Sequence, residues 1–322
     1  MATRRQRRLV TFTVIAGSGV LVATQVRHKW GEVRPVRRAL ELLGDRAPGG
    51  SGGVAKSLHK FVYEQLSGRM DDAGSSFLNY GFAPLEPPYQ DVELPPELEP
   101  DRYGMQLYNR VAGGADLVGK DVLEVGCGRG GGASFVFDRF KPSSMVGLDL
   151  AEKAVAHCNN VHGRAGLEFR AGDAEDLPFA DGSFDAVLNV ESSHCYPNFD
   201  RFLGEVSRVL RPGGHLLFAD LRGEDPTGET PSPRDELREQ IRQAGFEIVE
   251  EEDITRNVVR SLDLDSDRRE ASVKKYTPKV LQPQMLDFAG IIGSKTYDNF
   301  DSGRATYTRF VARKPAPVGA SV

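Results

Sequence analysis

Cysteine is scarce in this chain: 3 in 322 residues, at positions 127, 158 and 195. So few, so far apart, exclude a disulfide framework, imply a reducing compartment and match no zinc-ligand spacing, so no metal site is expected. Tryptophan occurs once, at Trp30. A basic excess is missing as well. The net charge of −5 divides into two unlike parts. Residues 1–46 hold 10 Lys/Arg against 3 Asp/Glu, or +7, and the rest hold 31 against 43, or −12. An acidic body excludes nucleic acid as the main partner. What is present, 39% hydrophobic and 27% charged residues, is enough for a globular core and excludes a disordered or collagen-like chain.

The N-terminal part stands apart. Leu9 to Val26 is charge-free, with Arg4, Arg5, Arg7 and Arg8 before it and Arg27, His28 and Lys29 after it. Eighteen such residues are close to the length of a spanning helix, so residues 9–26 are expected as a membrane helix. A helix lying in the membrane interface and a cleaved signal are the rival readings. Trp30 sits where an interfacial anchor would. Residues 47–53, Ala-Pro-Gly-Gly-Ser-Gly-Gly, read as a flexible linker. Residues 54–70 carry a helical apolar spacing. Residues 84–100 hold six prolines and cannot form a regular element. A helix is expected over 102–112.

From Lys120 onward short apolar runs alternate with helical segments. Strands are expected at 122–125, 144–150, 167–173, 184–190 and 215–221, with helices at 130–140, 151–162 and 199–210. Late strands are expected at 246–254 and 307–314. This alternation implies βαβ units and a mostly parallel sheet covered by helices on both faces, an α/β fold.

Chemistry concentrates at the ends of these strands. Val122-Leu-Glu-Val-Gly-Cys-Gly-Arg-Gly-Gly-Gly132 runs from a buried strand through glycines into a helix. Glycines permit a tight turn and close approach of a ligand to the backbone. Glu124 is a carboxylate near the end of an apolar strand, costly to bury without a partner. Asp149, 19 residues beyond Gly130, ends the second strand. There it can accept hydrogen bonds from ribose hydroxyls, cap the next helix, or do both. Gly172-Asp-Ala-Glu-Asp-Leu-Pro-Phe179 and Val206-Ser-Arg-Val-Leu-Arg-Pro-Gly-Gly-His215 follow in order.

Taken together, this ordered set resembles the class I S-adenosylmethionine-dependent methyltransferases over roughly residues 100–315. The segments around Glu124–Phe135 and Asn189–Arg222 resemble, more narrowly, the phthiotriol and phenolphthiotriol dimycocerosate methyltransferases, and bacterial fatty-acid O-methyltransferases share the pattern. Phe77-Leu-Asn-Tyr-Gly-Phe82 resembles the segment that closes over the methyl donor in lipid and tocopherol methyltransferases, although Ala83 stands where those often have tryptophan. The resemblance implies a Rossmann-like, doubly wound, seven-stranded sheet with N-terminal cap helices. It also implies the cofactor S-adenosylmethionine. Gly126, Cys127, Gly128 and Gly130 would surround its methionine part and Glu124 would engage its amino end. Asp149 would hold the ribose, Leu150 would pack on adenine, and Asp173 and Ala174 would flank it. Asn189 would lie below the sulfonium and Tyr80 would belong to the lid. The implied organisation is a basic N-terminal segment over 1–46, the linker 47–53, a cap or lid region over 54–118 and the methyltransferase domain over 119–315.

Methyl transfer to a hydroxyl needs a base. His194 follows the fourth strand at the edge where ligands bind, and its ordinary pKa near 6.5 suits the task; a capping or core histidine is the other reading. Glu191 is the rival base, and Tyr196 would shape the acceptor pocket. Adjacent His194 and Cys195 make a poor nucleophile pair. Asp263, Asp265 and Asp267 only faintly resemble a calcium loop. Phe288, Ile291 and Ile292 read either as an apolar cover over a lipid acceptor or as a core helix. The function these features favour is O-methylation of a lipid or other hydrophobic small molecule, on the cytoplasmic side of a membrane or in the cytoplasm. C-methylation of a polyketide, terpenoid or quinone, and a non-catalytic membrane-tethered cofactor-binding subunit, are the alternatives.

Overall fold

Residues 9–26 do not form the single helix that their apolar character suggests. In the computed structural model they are two strands, β1 (Leu9–Ala16) and β2 (Gly19–Val26), paired antiparallel from Leu9↔Val26 to Ala16↔Gly19. The reason lies in composition. Nine of the 18 residues are Val, Ile or Thr, whose branched Cβ favours extended backbone. No helix among the described residues is long and apolar enough to cross a membrane. The structure describes residues 9–16, 19–26, 76–86, 92–223 and 232–316, so the helix expected over 54–70 and the linker over 47–53 lie outside the described residues.

The apolar runs after Lys120 become strands: β3 (Asp121–Val125), β4 (Ser144–Asp149), β5 (Leu167–Ala171), β6 (Phe184–Val190), β7 (Leu210–Gly223), β8 (Glu247–Asp253) and β9 (Ala305–Arg313). They form one seven-stranded sheet in the order β5-β4-β3-β6-β7-β9-β8. Only β9 runs against its neighbours, β7 and β8. Eight α-helices occur among the described residues: α1 (Arg102–Ala112), α2 (Gly131–Phe140), α3 (Glu152–Val161), α4 (Phe199–Val209), α5 (Pro233–Gln243), α6 (Thr255–Tyr276), α7 (Gln282–Phe288) and α8 (Lys295–Asp301). The long α6 covers the aspartates at 263, 265 and 267, which had faintly suggested a calcium loop. No cluster that could hold a metal exists among the described residues.

The central strands β3, β4 and β6 are buried on both faces and read as continuous apolar runs, whereas the edge strands β5 and β8 expose alternate or most residues and read as mixed. Side chains alternate along β3. Val122 joins one core with Leu107, Tyr108 and Val111 of α1 and Val136 of α2. Leu123 and Val125 join the other, with Phe202, Leu203 and Val206 of α4 and Ile241 of α5. Glu124 shares the face of Val122, and this alternation points its carboxyl at α1. Helix α4 starts where Asn198 accepts a hydrogen bond from the Arg201 N–H, and α5 starts at Ser232-Pro233, a capping serine followed by proline at the first helical position.

Phe218 in mid-β7 pairs with Phe310 across the β7–β9 ladder, packs on Phe199 and is fully buried. Phe218→Ala should cost about 3–5 kcal/mol of stability, the range for deleting a buried phenylalanine. Urea denaturation followed by circular dichroism measures it, and a loss below about 1 kcal/mol would contradict this account of the core.

Candidate active site

The carboxyl ends of β4, β3, β6 and β7 lie side by side, and the sequence motifs sit on the loops that leave them. The chain leaves β3 through Gly126, whose φ of 78° a side-chain-bearing residue rarely adopts. A Cβ there would lie 2.3 Å from Ser192 Oγ and 2.8 Å from the Tyr196 hydroxyl, so two loops meet over a missing side chain. The N–H groups of Gly126 and Cys127 both donate to the Leu148 carbonyl on β4. The loop ends at Gly130, left-handed at φ 78° and placed as the N-cap of α2. Around Gly128 the nearest group is Leu78 Cδ1, 3.8 Å from the Cβ position, so backbone faces open space there.

Two carboxyls frame the loop. Glu124 is fully buried; the Tyr108 hydroxyl donates to its Oε1 at 2.5 Å, and Oε2 has no partner. Burial, helped by the nearby Asp149 charge, pushes its pKa up to about 7, with Tyr108 and the approach of the Ala133 N–H only partly opposing it. Asp149 spends both of its oxygens on backbone N–H groups, and the one at the start of α3 matches the capping role. Its Oδ1 accepts from the Ala151 N–H at the start of α3, and its Oδ2 accepts from the Gly128 N–H, each at 2.9 Å. Burial raises its pKa as well.

Asn189 ends β6 directly beside β3. Its Nδ2 donates to the Val125 carbonyl at 2.9 Å, Ser192 Oγ at 2.8 Å and the Tyr196 hydroxyl at 3.0 Å, while Oδ1 is buried without a partner. Leu150 and Asp173 are half-buried just beyond β4 and β5, and Ala174 is buried. Asp173 Oδ1 accepts from the Glu175 N–H and thereby shapes its own loop. Cys127 is buried, and its contact with Cys158 together with burial pushes its thiol well up, which leaves it unreactive.

The two candidate bases differ. Glu191 is held at φ 52°, outside the range usual for its side chain. Its Oε2 accepts from the Tyr80 N–H at 2.8 Å and from the Tyr307 hydroxyl at 3.0 Å. Burial pushes its pKa up to about 8. His194 sits in a short 3-10 turn, Ser193–Cys195. Its Nδ1 lies 2.8 Å from Asp220 Oδ1, and its backbone N–H donates to Asp220 Oδ2 at 2.9 Å. Ser193 Oγ and the Leu221 N–H also donate to this fully buried aspartate, and Arg222 approaches to 3.4 Å. Burial disfavours the ionised Asp220, but the cations His194 and Arg222 and these donors outweigh it and hold its pKa well below the usual carboxylate range. For His194, burial acts to lower the pKa; the neighbouring Cys195 and the Asp220 carboxylate outweigh it, and the imidazole ends well above its usual value.

The structure thus brings Glu124, the glycine loop, Asp149, Asn189, Glu191 and His194 to one edge. Tyr80 arrives differently from expectation. Its backbone N–H reaches Glu191, but its ring packs edge-on against Phe300, with centroids 5.3 Å apart. Leu78 is the neighbour that leans toward Gly128. Asp220, Tyr108 and Tyr307 were missed. Asp220 had a readable signal, a lone carboxylate closing the apolar run Leu216–Leu221, the same pattern that singled out Glu124. The tyrosines had none, since their role depends on how α1 and β9 pack.

Three buried acceptor atoms without partners, Glu124 Oε2, Asn189 Oδ1 and Asn79 Oδ1, surround this loop. Buried acceptors demand donors. The amino group and hydroxyls of S-adenosylmethionine are donors, and its cationic sulfonium suits a site rich in carboxyls. The residues fit that cofactor.

Comparison with known proteins agrees. A family described as a methyltransferase domain matches residues 123–218. The chain is 40% identical over 263 residues to a fatty-acid O-methyltransferase of Mycolicibacterium smegmatis, covering 82% of this chain and 92% of the relative. It is 37% identical over 269 residues to a phthiotriol/phenolphthiotriol dimycocerosates methyltransferase of Mycobacterium tuberculosis, covering 83% and 96%. Among solved structures, the cyclopropane synthase MmaA2 from Mycobacterium tuberculosis shares the fold at a TM-score of 0.58 and 17% identity, covering 76% of this chain and 94% of that one. Geranyl diphosphate C-methyltransferase from Streptomyces coelicolor does so at 0.57 and 18%, covering 84% and 100%.

The titrations predict a pH dependence of stability. Glu124, Glu191 and His194 all have folded pKa values raised above their unfolded ones, so the folded protein binds more protons than the unfolded chain between them. The stability this contributes is complete below the unfolded values and is lost as pH rises through about 7 to 8. Protein free of small ligands should therefore melt at a higher temperature at pH 6 than at pH 8.5. Glu124→Gln should flatten the difference by about 1–3 kcal/mol. Scanning calorimetry at both pH values checks this; a higher melting temperature at pH 8.5 would reverse the assignment.

Proposed function

We propose that this chain, which belongs to the S-adenosylmethionine-dependent methyltransferases, methylates an oxygen of a hydrophobic, lipid-like acceptor. The observation that carries the reading is the His194–Asp220 pair at the end of β6, beside a glycine loop ringed by unpaired buried acceptors. The relatives named for fatty acids and phthiotriols support a lipid acceptor. Transfer to an electron-rich carbon needs no strong base, so a buried carboxylate dedicated to orienting an imidazole favours oxygen.

Bound S-adenosylmethionine supplies a methyl group already activated on a sulfonium. What remains for the protein is alignment, exclusion of water and proton handling. In this reading Glu124 and Asn79 accept from the amino end and Asp149 from the ribose. Leu150, Asp173 and Ala174 line the adenine side, with Gly126, Cys127, Gly128 and Gly130 forming the backbone cradle. Asn189 keeps Ser192 and Tyr196 in place over Gly126. Asp220 fixes the Nδ1–H tautomer of His194 and turns Nε2 toward the acceptor. His194 Nε2 would accept the acceptor's hydroxyl proton as that oxygen takes the methyl group, and Asp220 would stabilise the imidazolium so formed. Glu191 is assigned to positioning, because both groups on its Oε2 are donors of the protein itself.

The raised pKa of His194 favours a second reading, in which the acceptor is a carboxylate. An imidazolium would then pair with it and no proton would move. The basic N-terminal 46 residues support encounter with an anionic membrane surface on the cytoplasmic side, where the methyl donor is made. The domain limits, 54–118 for the cap and 119–315 for the catalytic part, belong to the same reading.

Three measurements test it. Asp149→Ala should weaken S-adenosylmethionine binding by about 1–3 kcal/mol in calorimetry; unchanged affinity in a folded variant removes Asp149 from the site. His194→Ala should lower turnover of a hydroxyl lipid by about 10²–10⁴ with cofactor affinity unchanged. Wild-type activity on that acceptor should rise with pH through the histidine pKa, since the base must be neutral. A rate that falls over the same range selects the carboxylate acceptor, and a few-fold effect of His194→Ala on either class rejects the assignment.

A further inference from the structure

The start of the strip 76–86 lies against the glycine loop, with Leu78 Cδ1 3.8 Å from the Cβ position of Gly128, and its later part runs on toward α1 and α6. The space that a Gly131 side chain would need is filled by Ser76, and that of Gly104 by Phe77. At Tyr80 the strip's backbone is tied from opposite sides. The N–H donates to Glu191 Oε2, and the carbonyl accepts from Ser261 Oγ at 2.7 Å and from Arg269 Nη2 at 3.1 Å. The same guanidinium also reaches the Asn79 carbonyl at 3.2 Å and, through Nη1, the Ala289 carbonyl at 3.3 Å, just past the end of α7. Its Nε donates to Asp265 Oδ2 at 2.9 Å. Asp265 is buried on α6, four residues before Arg269 and therefore on the same helix face. Asp265 also pairs with Arg268.

A planar guanidinium with five donors in fixed directions can hold three such acceptors in one geometry, which a lysine cannot. Its partners belong to different parts of the site. Asn79 and Tyr80 lie over the donor loop. Ala289 belongs to the apolar stretch Met285–Ile292, which closes over α6 away from that loop. The stretch is packed on Tyr80, since the Cβ position of Gly290 lies 3.4 Å from the Tyr80 ring and 3.2 Å from Leu262.

We propose that Arg269, oriented by Asp265, is a positioning residue that couples the two substrates, by fastening the strip over the methyl-donor loop to the apolar wall that a lipid acceptor meets. Enclosure of the donor and closure of the acceptor wall then occur together, so neither half-filled site is fully formed and water is excluded only when both are. The inference rests on the donor site proposed above.

Hydrogen exchange on the full chain, with S-adenosylhomocysteine as the probe, tests it. Calorimetry first establishes binding to the wild type; no binding overturns the donor-site reading itself and takes the coupling with it. With binding present, the wild type should gain several-fold protection in residues 76–86 and also in 285–292, which the probe does not touch. In Arg269→Lys the first gain should persist and the second should disappear. Asp265→Asn, which keeps the shape of the pair but loses the charge, should give the same pattern and serves where Arg269→Lys does not fold. Protection at 285–292 that is absent in the wild type, or that survives in both variants, overturns the proposal.

Discussion

The order of strands reverses between β3 and β6. The chain leaving β3 crosses toward β4, the chain leaving β6 crosses toward β7, and the two exits diverge above the sheet. In an open parallel sheet that divergence leaves a crevice at the carboxyl edge. Here the crevice is bridged at its base by Asn189, which grips the Val125 carbonyl of the neighbouring strand, and it is kept narrow because Gly126 has no side chain to hold Ser192 and Tyr196 away. The remaining parts of the site depend on this junction. Glu124 is aimed by the pleat of β3, Asp149 stands one strand away in one direction, and Glu191, His194 and Asp220 stand in the other.

Four carboxyls share this small region and the structure separates their chemistry by environment. Glu124 and Glu191 receive few hydrogen bonds for their depth, and burial shifts both toward the neutral form at physiological pH. Asp220 is just as deep but receives a hydroxyl, two backbone N–H groups, an imidazole and a guanidinium, so it stays ionised. Carboxyls pushed apart in this way take different tasks. A neutral or half-ionised Glu124 with an unpaired oxygen is ready to gain a cationic donor, whereas an ionised Asp220 is committed to the histidine beside it. Glu191 Oε2 is spent on Tyr80 and Tyr307, so this oxygen holds two groups of the protein itself.

Much of this was legible in the residues. The central strands of the catalytic part fell within a few positions of the apolar runs, because strands buried on both faces leave uninterrupted Val, Leu and Ala. The glycine loop, Asp149 and His194 were legible because a turn at positive φ and a polar group at a strand end leave local marks. The N-terminal hairpin was misread as a helix. Length and lack of charge were given more weight there than the density of β-branched residues, which favours strands. Tyr108, Tyr307 and Arg269 left no such mark. Each acts across more than 15 positions of sequence, on a partner selected by packing rather than by spacing.

Relatives at closely similar identity to this chain carry names for different acceptors, fatty acids in one case and phthiotriols in another. If donor and acceptor sites were built from the same elements, such divergence would disturb both. In the reading proposed above they are built from different elements. The donor loop rests on strand ends packed in the two sheet cores, where most side-chain changes cost several kcal/mol. In the proposed reading the acceptor meets the region of α7 and α8, seven residues each, where Phe288 and Ile292, the latter between the two helices, are exposed. Short helices with exposed apolar groups have little local stability to lose, so substitutions there can reshape what is recognised without unfolding what binds the donor. The cost of that freedom is a wall too weak to hold its own position. On the proposal above, Arg269 and Asp265 of the much longer α6 supply that hold, because the same guanidinium meets Ala289, Asn79 and Tyr80.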